Sequence, residues 1–204
     1  MKSLLRLIVR SLRDKFNSPN YANDCIFIHI NKTGGSSVEV ALGLKWEHKT
    51  AIEKIEEVGK KRWDRKFTFA FVRNPWDKVV SHYCYRVKTN QTNLGTNPID
   101  FTDWVKLAYG DRNPEYYDKP KMFMPQSDWI VDNSGEILVD FVGRFESLEG
   151  DFKVVCDRLN RNVELPHKKK SERRSYQSYY DRESQEIIAE WFREDIDRFG
   201  YQFE

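Results

Sequence analysis

The chain has 204 residues, of which 39% are hydrophobic, 14% aromatic and 32% charged. This composition is typical of one globular domain with a sizeable core, which we expect over residues 1–204, and it excludes a largely disordered or membrane-embedded chain. The formal net charge of +2 is too small to imply a nucleic-acid partner. The three cysteines show no metal-ligand spacing. Their odd number favours a reducing compartment, the cytoplasm.

The N-terminal segment MKSLLRLIVRSLRDKF alternates apolar residues with arginines. It is too short and too charged to span a bilayer. We therefore predict an amphipathic helix over residues 1–20 that packs on the domain. Contact of residues 1–16 with a partner or a membrane surface is the alternative.

Strand and helix patterns alternate through the first half of the chain. Buried strands are predicted at 25–30 and 67–72, and helices follow them at 36–42 and from 76 to 86. Further elements are predicted as helices at 51–58, 101–109 and 183–198, a hairpin that turns at 132–135, a strand at 141–145 after it, and a helix capped by Ser147. The order predicts an α/β fold with a mainly parallel central sheet flanked by helices.

Polar residues follow the first predicted strand as Asn31, Lys32, Thr33, Gly34, Gly35, Ser36 and Ser37. The glycines allow positive φ and close approach of a ligand to the backbone. The N–H groups of the next helix favour an anion, Lys32 adds a full charge, and the three hydroxyls complete the cradle. A purely geometric turn is the alternative, but such a turn requires neither a lysine nor hydroxyls.

A second polar motif, Arg73-Asn74-Pro75, follows the second predicted strand. Pro75 suits a helix start, where its missing N–H has no helical acceptor. The planar fork of Arg73 suits phosphate oxygens, and Ser81, two turns into the helix, adds a hydroxyl. We expect Arg73 to serve the ligand and to make no core contact. Ligands of parallel sheets bind at such strand ends.

Together the two motifs resemble those of the sulfotransferases. Residues 31–37 are similar to the 5′-phosphosulfate loop of the carbohydrate-type branch, Pro-Lys-Thr-Gly-Gly-[Thr/Ser]-Ser, with Asn31 in place of proline. Residues 71–83, FVRNPWDKVVSHY, resemble the family's 3′-phosphate signature. The lysine precedes the glycines, so the loop is not a Walker A motif. The resemblance to small bacterial and viral members runs from Cys25 almost to the end, and it implies a P-loop-like three-layer fold.

The resemblance implies 3′-phosphoadenosine 5′-phosphosulfate as the donor. Its expected ligands are Lys32, Thr33, Gly34, Gly35, Ser36, Ser37, Arg73 and Ser81. Transfer would be an in-line displacement at sulfur, in which Lys32 stabilises charge on the bridging oxygen and no metal is needed. The basic run 168–174 is either a solvated loop or, as in cytosolic relatives, a loop that closes over the 3′-phosphate through Lys170, Arg173 or Arg174. Glu146 is expected to orient the loop or cap a helix.

An acceptor hydroxyl also needs a general base. We read His29 as a packed core residue and His167 as part of the basic run. Uronosyl 2-O-type relatives take a histidine base from the region of His48, which is therefore our predicted base. His82, next to Ser81, is the second candidate.

The resemblance implies a carbohydrate or another hydroxyl compound as acceptor, which the irregular segment 88–125 is expected to face. Aromatic side chains that offer stacking surfaces are Trp46, Trp63, Trp104, Tyr109, Tyr116, Tyr117, Trp129, Tyr179 and Tyr180, although most aromatic residues belong to cores. A P-loop-type nucleotide or sugar kinase and a non-catalytic nucleotide-binding module are the competing hypotheses. The sequence leaves the oligomeric state open.

Overall fold

A computed structural model of the protein describes residues 24–166 and 174–204. Its strands are β1 Cys25–Ile28, β2 Phe67–Val72 and β3 Phe141–Arg144. Its helices are α1 Gly35–Leu42, α2 Ala51–Val58, α3 Lys60–Trp63, α4 Pro75–Lys88, α5 Phe101–Val105, α6 Leu148–Arg158, α7 Arg182–Trp191 and α8 Arg193–Phe199. A π-helical turn, Lys106–Gly110, continues α5. The predicted helix at 1–20, and the basic run through Arg173, lie outside the described residues.

The three strands form one parallel sheet in the order β1-β2-β3. Phe27 lies opposite Phe69, and Phe69 lies opposite Phe141, so the strands are in register across the sheet. Parallel neighbours require helical crossovers, which α1 to α3 and then α4 and α5 supply. The predicted α/β fold with a parallel sheet flanked by helices is confirmed.

Each face of the sheet packs into its own core, which gives three layers. Side chains alternate along a strand, so Ile26 and Ile28 point into one core and Cys25 and Phe27 into the other. The first core contains Ala51 of α2, Trp63 of α3, Trp129 and the C-terminal Phe199 and Tyr201. The second contains Val38 and Leu42 of α1 with Phe152 and Val155 of α6.

A third, aromatic-rich core lies between α4, α5 and α7. Its fully or nearly buried members include Trp76, Trp104, Tyr109, Phe123 and Phe192. Four of the aromatic residues considered as stacking surfaces, Trp63, Trp104, Tyr109 and Trp129, are core residues. Part of the segment expected to face the acceptor instead holds this core together.

Three local predictions differ from the structure. The predicted C-terminal helix is interrupted at Phe192, whose side chain is fully buried and whose backbone (φ −107°, ψ 25°) separates α7 from α8. The predicted hairpin is reduced to a single antiparallel bridge between Val131 and Ile137. Ser147 precedes α6, but its hydroxyl donates to the Asp151 carboxylate instead of capping a backbone N–H.

None of the helices in the described ranges combines the length and the apolar character needed to cross a membrane.

Candidate active site

The ends of β1 and β2 bring the two polar motifs into direct contact. The Arg73 guanidinium donates from Nη1 to the backbone carbonyl of Lys32 at 2.9 Å. The predicted phosphosulfate loop and the predicted 3′-phosphate signature thus form one site at the carboxyl edge of the sheet, where open parallel sheets bind ligands.

The loop after β1 has the backbone of an anion site. Lys32 has φ +68° and Gly34 has φ +85°, so both residues are left-handed, which strains the lysine but not the glycine. The Ser37 N–H donates to the Gly34 carbonyl at 2.9 Å and closes the first turn of α1. The N–H groups that open a helix have no acceptor within it, and Gly34 at the N-cap has no side chain to offer.

Thr33 takes a different part in the loop from Ser36 and Ser37. Its side chain is fully buried, and its hydroxyl donates to the Ile30 carbonyl at 2.9 Å. Because that proton is used within the loop, Thr33 can offer an anion only its backbone N–H. Ser36 and Ser37 are half-buried, and the anion-binding role of their hydroxyls stays a prediction.

Gly35 is required by packing, and it lacks the positive φ predicted for it. It lies inside α1, and a Cβ built on it would stand 2.0 Å from Cδ2 of His29. The His29 ring is itself fixed, since it is 4% exposed and its Nδ1 lies 2.8 Å from Oε1 of Glu39. Positive φ was predicted for both glycines, and only Gly34 has it.

Arg73 is a structural residue as well as a candidate ligand, contrary to the expectation that it makes no core contact. It is 5% exposed. Its Nε and Nη2 lie 2.7 Å and 2.6 Å from Oδ2 of Asp77, one helical turn away, and its guanidinium stacks 3.9 Å from the centre of the Phe145 ring. Removing one partner of such a buried ion pair is strongly destabilising.

Residues distant in the sequence hold the backbone of the Arg73 motif. The side chain of Gln126 accepts from the Arg73 N–H and donates to the Arg73 carbonyl, both at 2.8 Å. The carboxylate of Asp195, which is fully buried, accepts from the backbone N–H groups of Gln126 and Ser127. Glu146 accepts from the Asn74 N–H at 2.7 Å. Of its two expected roles, Glu146 therefore orients the loop.

One face of α4 continues the site beyond Arg73. Asp77, Ser81 and Tyr85 are spaced one turn apart, so their side chains follow one another along the helix. The ring of Tyr85 lies 4.2 Å from Nζ of Lys32, a cation–π contact. Ser81 is half-buried, and its hydroxyl makes no hydrogen bond to any residue in the described ranges.

His48 has the geometry of an oriented base. Its Nδ1 lies 2.8 Å from the backbone carbonyl of His29. A carbonyl only accepts, so Nδ1 carries the proton and Nε2 keeps its lone pair. The pKa of His48 is lowered, chiefly because burial disfavours the imidazolium. The segment that carries His48 is anchored further by the Glu47 N–H, 3.4 Å from Oε1 of Glu39.

His82 is a core residue by comparison. It is 5% exposed, and its ring packs 4.9 Å from Phe123 and 5.7 Å from Trp104. Burial and then the nearby cations Lys78 and Arg86 hold its pKa well below the usual value. No hydrogen-bond partner for its Nδ1 occurs in the part of the chain that is described. Of the two candidate bases, His48 is oriented by a hydrogen bond, whereas His82 is packed in the core.

Residues that follow the basic run contact the second motif and the start of α4. Arg174 is exposed and lies 5.6 Å from the Tyr179 ring. Two residues later, the Tyr176 hydroxyl is 3.5 Å from the Asn74 side-chain amide, and the Tyr180 hydroxyl donates to the Trp76 carbonyl at 2.9 Å. The residues just after Arg174, not Arg174 itself, are the ones seen in contact with the start of α4.

Sequence reasoning missed the residues that support the site. Asp77 could have been found, since an acid four residues after Arg73 on a predicted helix is a recognisable pair. Gln126 and Asp195 carry no local signal, because their partners are far away in the chain. In residues 24–166 and 174–204, no cluster of three or more His, Cys, Asp or Glu side chains is arranged to hold a metal ion.

The fold and this edge define an α/β protein with a candidate anion site between two strand ends. The sequence model of the sulfotransferase family matches residues 7–202. Because that match spans nearly the whole chain, the protein belongs to the sulfotransferase family. An uncharacterized protein of Archaeoglobus fulgidus is 33% identical over 109 residues, which make up 53% of this chain and 79% of that protein. No solved structure matches the chain significantly.

The packing of Gly35 against His29 predicts opposite effects for two glycine substitutions. Gly35→Ala should lower the free energy of unfolding by about 1–3 kcal/mol, because the pinned His29 ring must move. Gly150→Ala is the matched control: its site in α6 is open, so alanine should raise that free energy by up to about 1 kcal/mol. Urea unfolding measures both, and a Gly35→Ala protein as stable as the wild type would contradict the packing role.

Proposed function

We propose that the protein transfers a sulfuryl group from 3′-phosphoadenosine 5′-phosphosulfate to an acceptor hydroxyl, on a carbohydrate, by in-line displacement. The observation that carries the proposal is the contact between the two motifs, in which the Arg73 guanidinium binds the Lys32 carbonyl at 2.9 Å. A donor with phosphate groups at two separate positions needs two anion sites at a fixed spacing, and this contact fixes the two candidates relative to each other. Membership of the sulfotransferase family supports the reaction class.

The residues of the loop suit the 5′-phosphosulfate. The N–H groups at the start of α1, the Ser36 and Ser37 hydroxyls and the Lys32 ammonium are all donors to an anion. As the bond between phosphate and sulfate breaks, negative charge grows on the bridging oxygen. In our proposal Lys32 stabilises that charge, and Thr33 contributes only its backbone N–H.

The residues of α4 suit the 3′-phosphate, with help from the basic run. Arg73 and Asp77 together carry no net charge, so a doubly negative phosphate requires further cations and donors. Ser81 lies on the same face of α4 and offers a hydroxyl. Tyr176, two residues after Arg174, contacts the Asn74 side chain. We therefore retain Arg173 and Arg174 as proposed ligands of the 3′-phosphate.

His48 is the proposed base for the acceptor hydroxyl. Its Nδ1 proton is held by the His29 carbonyl, which directs the lone pair of Nε2 away from that backbone. In the proposed reaction Nε2 takes the acceptor proton as the hydroxyl oxygen attacks sulfur, and no metal takes part. The buried ring of His82 is less able to reach an acceptor, so His82 stays the rival candidate.

The donor assignment predicts which nucleotides stabilise the protein. 3′-Phosphoadenosine 5′-phosphate should raise the melting temperature much more than 5′-AMP, because only the former engages the 3′-phosphate site. At about 100 times Kd, mass action corresponds to roughly 2.7 kcal/mol. Ser81→Ala is the suitable variant for a thermal-shift assay, since Arg73 also supports the fold. It should leave the ligand-free melting temperature unchanged and reduce the shift with 3′-phosphoadenosine 5′-phosphate alone. Equal shifts with the two nucleotides, or a larger one with ATP and magnesium, would rule out the donor and favour a kinase.

The role of Lys32 predicts a separation between binding and turnover. Lys32→Ala should lower kcat by about 100- to 1,000-fold, the scale for one electrostatic donor to a transition state. The affinity for 3′-phosphoadenosine 5′-phosphate should fall much less, because the charge that Lys32 stabilises develops only during transfer. Calorimetric titration and a radiolabelled-sulfate assay measure the two effects. Equal losses in both would make Lys32 a binding residue only.

The lowered pKa of His48 predicts the pH profile. A base must be neutral, so kcat/KM should rise with pH and level off, and the midpoint of the rise should lie below ~6.5, the ordinary histidine value. His48→Ala should remove that rise and lower kcat by about 100-fold or more. His82→Phe keeps the buried ring volume and serves as the control. Loss of the rise in His82→Phe, with the rise kept in His48→Ala, would assign the base to His82.

A further inference from the structure

Two aromatic side chains stand out by their exposure. Trp46 is 64% exposed and Tyr85 is 46% exposed. Every other aromatic residue in the described ranges is buried or half-buried. Large aromatic rings contribute most to stability when they are covered, so two rings left in water require an explanation that packing does not give.

Both exposed rings lie beside the candidate catalytic groups. The Trp46 ring is 6.4 Å from the His48 ring and 5.9 Å from the His29 ring, nearly perpendicular to the first. The Tyr85 ring is 4.2 Å from Nζ of Lys32. The other large hydrophobic side chains that are exposed are aliphatic: Val40, Ile137 and Val154. The exposed aromatic surface of the described protein is thus concentrated next to the proposed base and the proposed electrostatic donor.

Trp46 is held in position by the two residues that follow it. The following residue, Glu47, donates its N–H to Glu39 of α1, and His48 is bonded to the His29 carbonyl. A ring on an anchored backbone can bind a ligand without first paying for the ordering of a loop. Tyr85 lies on the third turn of α4, on the face that also carries Asp77 and Ser81, and is equally fixed by its helix.

We propose that Trp46 and Tyr85 are the acceptor-binding residues of this enzyme and that the acceptor they bind is a pyranose ring of a carbohydrate. The inference rests on the sulfotransferase activity proposed above and adds the residues that select its acceptor. A pyranose presents C–H groups on its faces and hydroxyls around its rim, so it stacks on an aromatic ring while its hydroxyls stay hydrated or reach a base. A flat apolar alcohol gains most in an enclosed pocket, and Trp46 is too exposed to provide one.

The test compares four variants with the wild type: Trp46→Ala, Tyr85→Ala, Tyr85→Phe and Val154→Ala. Val154, 42% exposed on α6, is the control for loss of an exposed hydrophobic side chain elsewhere. The acceptor probes are unsulfated hexasaccharides of alternating uronic acid and hexosamine, methyl β-glucoside and 4-nitrophenol. Transfer of radiolabelled sulfate gives KM and kcat, and saturation-transfer NMR with 3′-phosphoadenosine 5′-phosphate present measures sugar binding directly.

We expect at least one sugar probe to bind and accept sulfate in the wild type. Trp46→Ala and Tyr85→Ala should each raise the acceptor KM about tenfold, the scale for losing one stacked ring, and Trp46→Ala should leave the donor affinity unchanged. Tyr85→Phe keeps its ring and should resemble the wild type, as should Val154→Ala. Normal acceptor KM values in both alanine variants would overturn the inference. So would preference for 4-nitrophenol, or the absence of any response to the sugars. If 3′-phosphoadenosine 5′-phosphate fails to stabilise the wild type, the proposed activity itself fails, and the two failures are distinguishable.

Discussion

The site depends on the hydrogen bond and the ion pair that the Arg73 guanidinium makes. It joins the end of β2 to the loop after β1 through the Lys32 carbonyl, and it joins its own turn to α4 through Asp77. Lys32 occupies a left-handed conformation that ordinary residues avoid, and the hydrogen bond from Arg73 offsets part of that strain. The same bond turns the Lys32 carbonyl toward Arg73. In a trans peptide the next N–H, that of Thr33, therefore points the opposite way.

Residues far from Arg73 in the chain hold its backbone in place. Asp195 at the C-terminal end fixes Gln126, and Gln126 fixes the Arg73 backbone in both directions. Glu146, after β3, fixes the next N–H along the chain. Fully satisfied buried networks of this kind are rigid. Rigidity suits phosphate recognition, because the guanidinium is already oriented and little ordering entropy is lost when an anion binds.

Local patterns were sufficient to predict the sheet and both motifs. The bounds of β2 and α2 follow directly from apolar runs and spacing, and the loop after β1 follows from its glycines and lysine. The failures concern contacts made over long distances in the chain. The break at Phe192 is set by burial in a core formed with α4, and the engagement of Arg73 in the fold depends on Gln126 and Phe145. Position 35 requires glycine because the His29 ring lies against it. The spacing of apolar residues in the sequence does not reveal that contact.

The two sides of the site differ in a way that bears on specificity. The proposed donor side is built from buried, mutually bonded groups that tolerate few changes, since Arg73, Thr33 and Gly35 each have a structural partner. The proposed acceptor side, at Trp46 and Tyr85, consists of exposed rings whose side-chain contacts are with other residues of the candidate site. Substitution there costs the fold little, because exposed positions away from packed features change stability only slightly. A change of acceptor is therefore physically easier in this architecture than a change of donor.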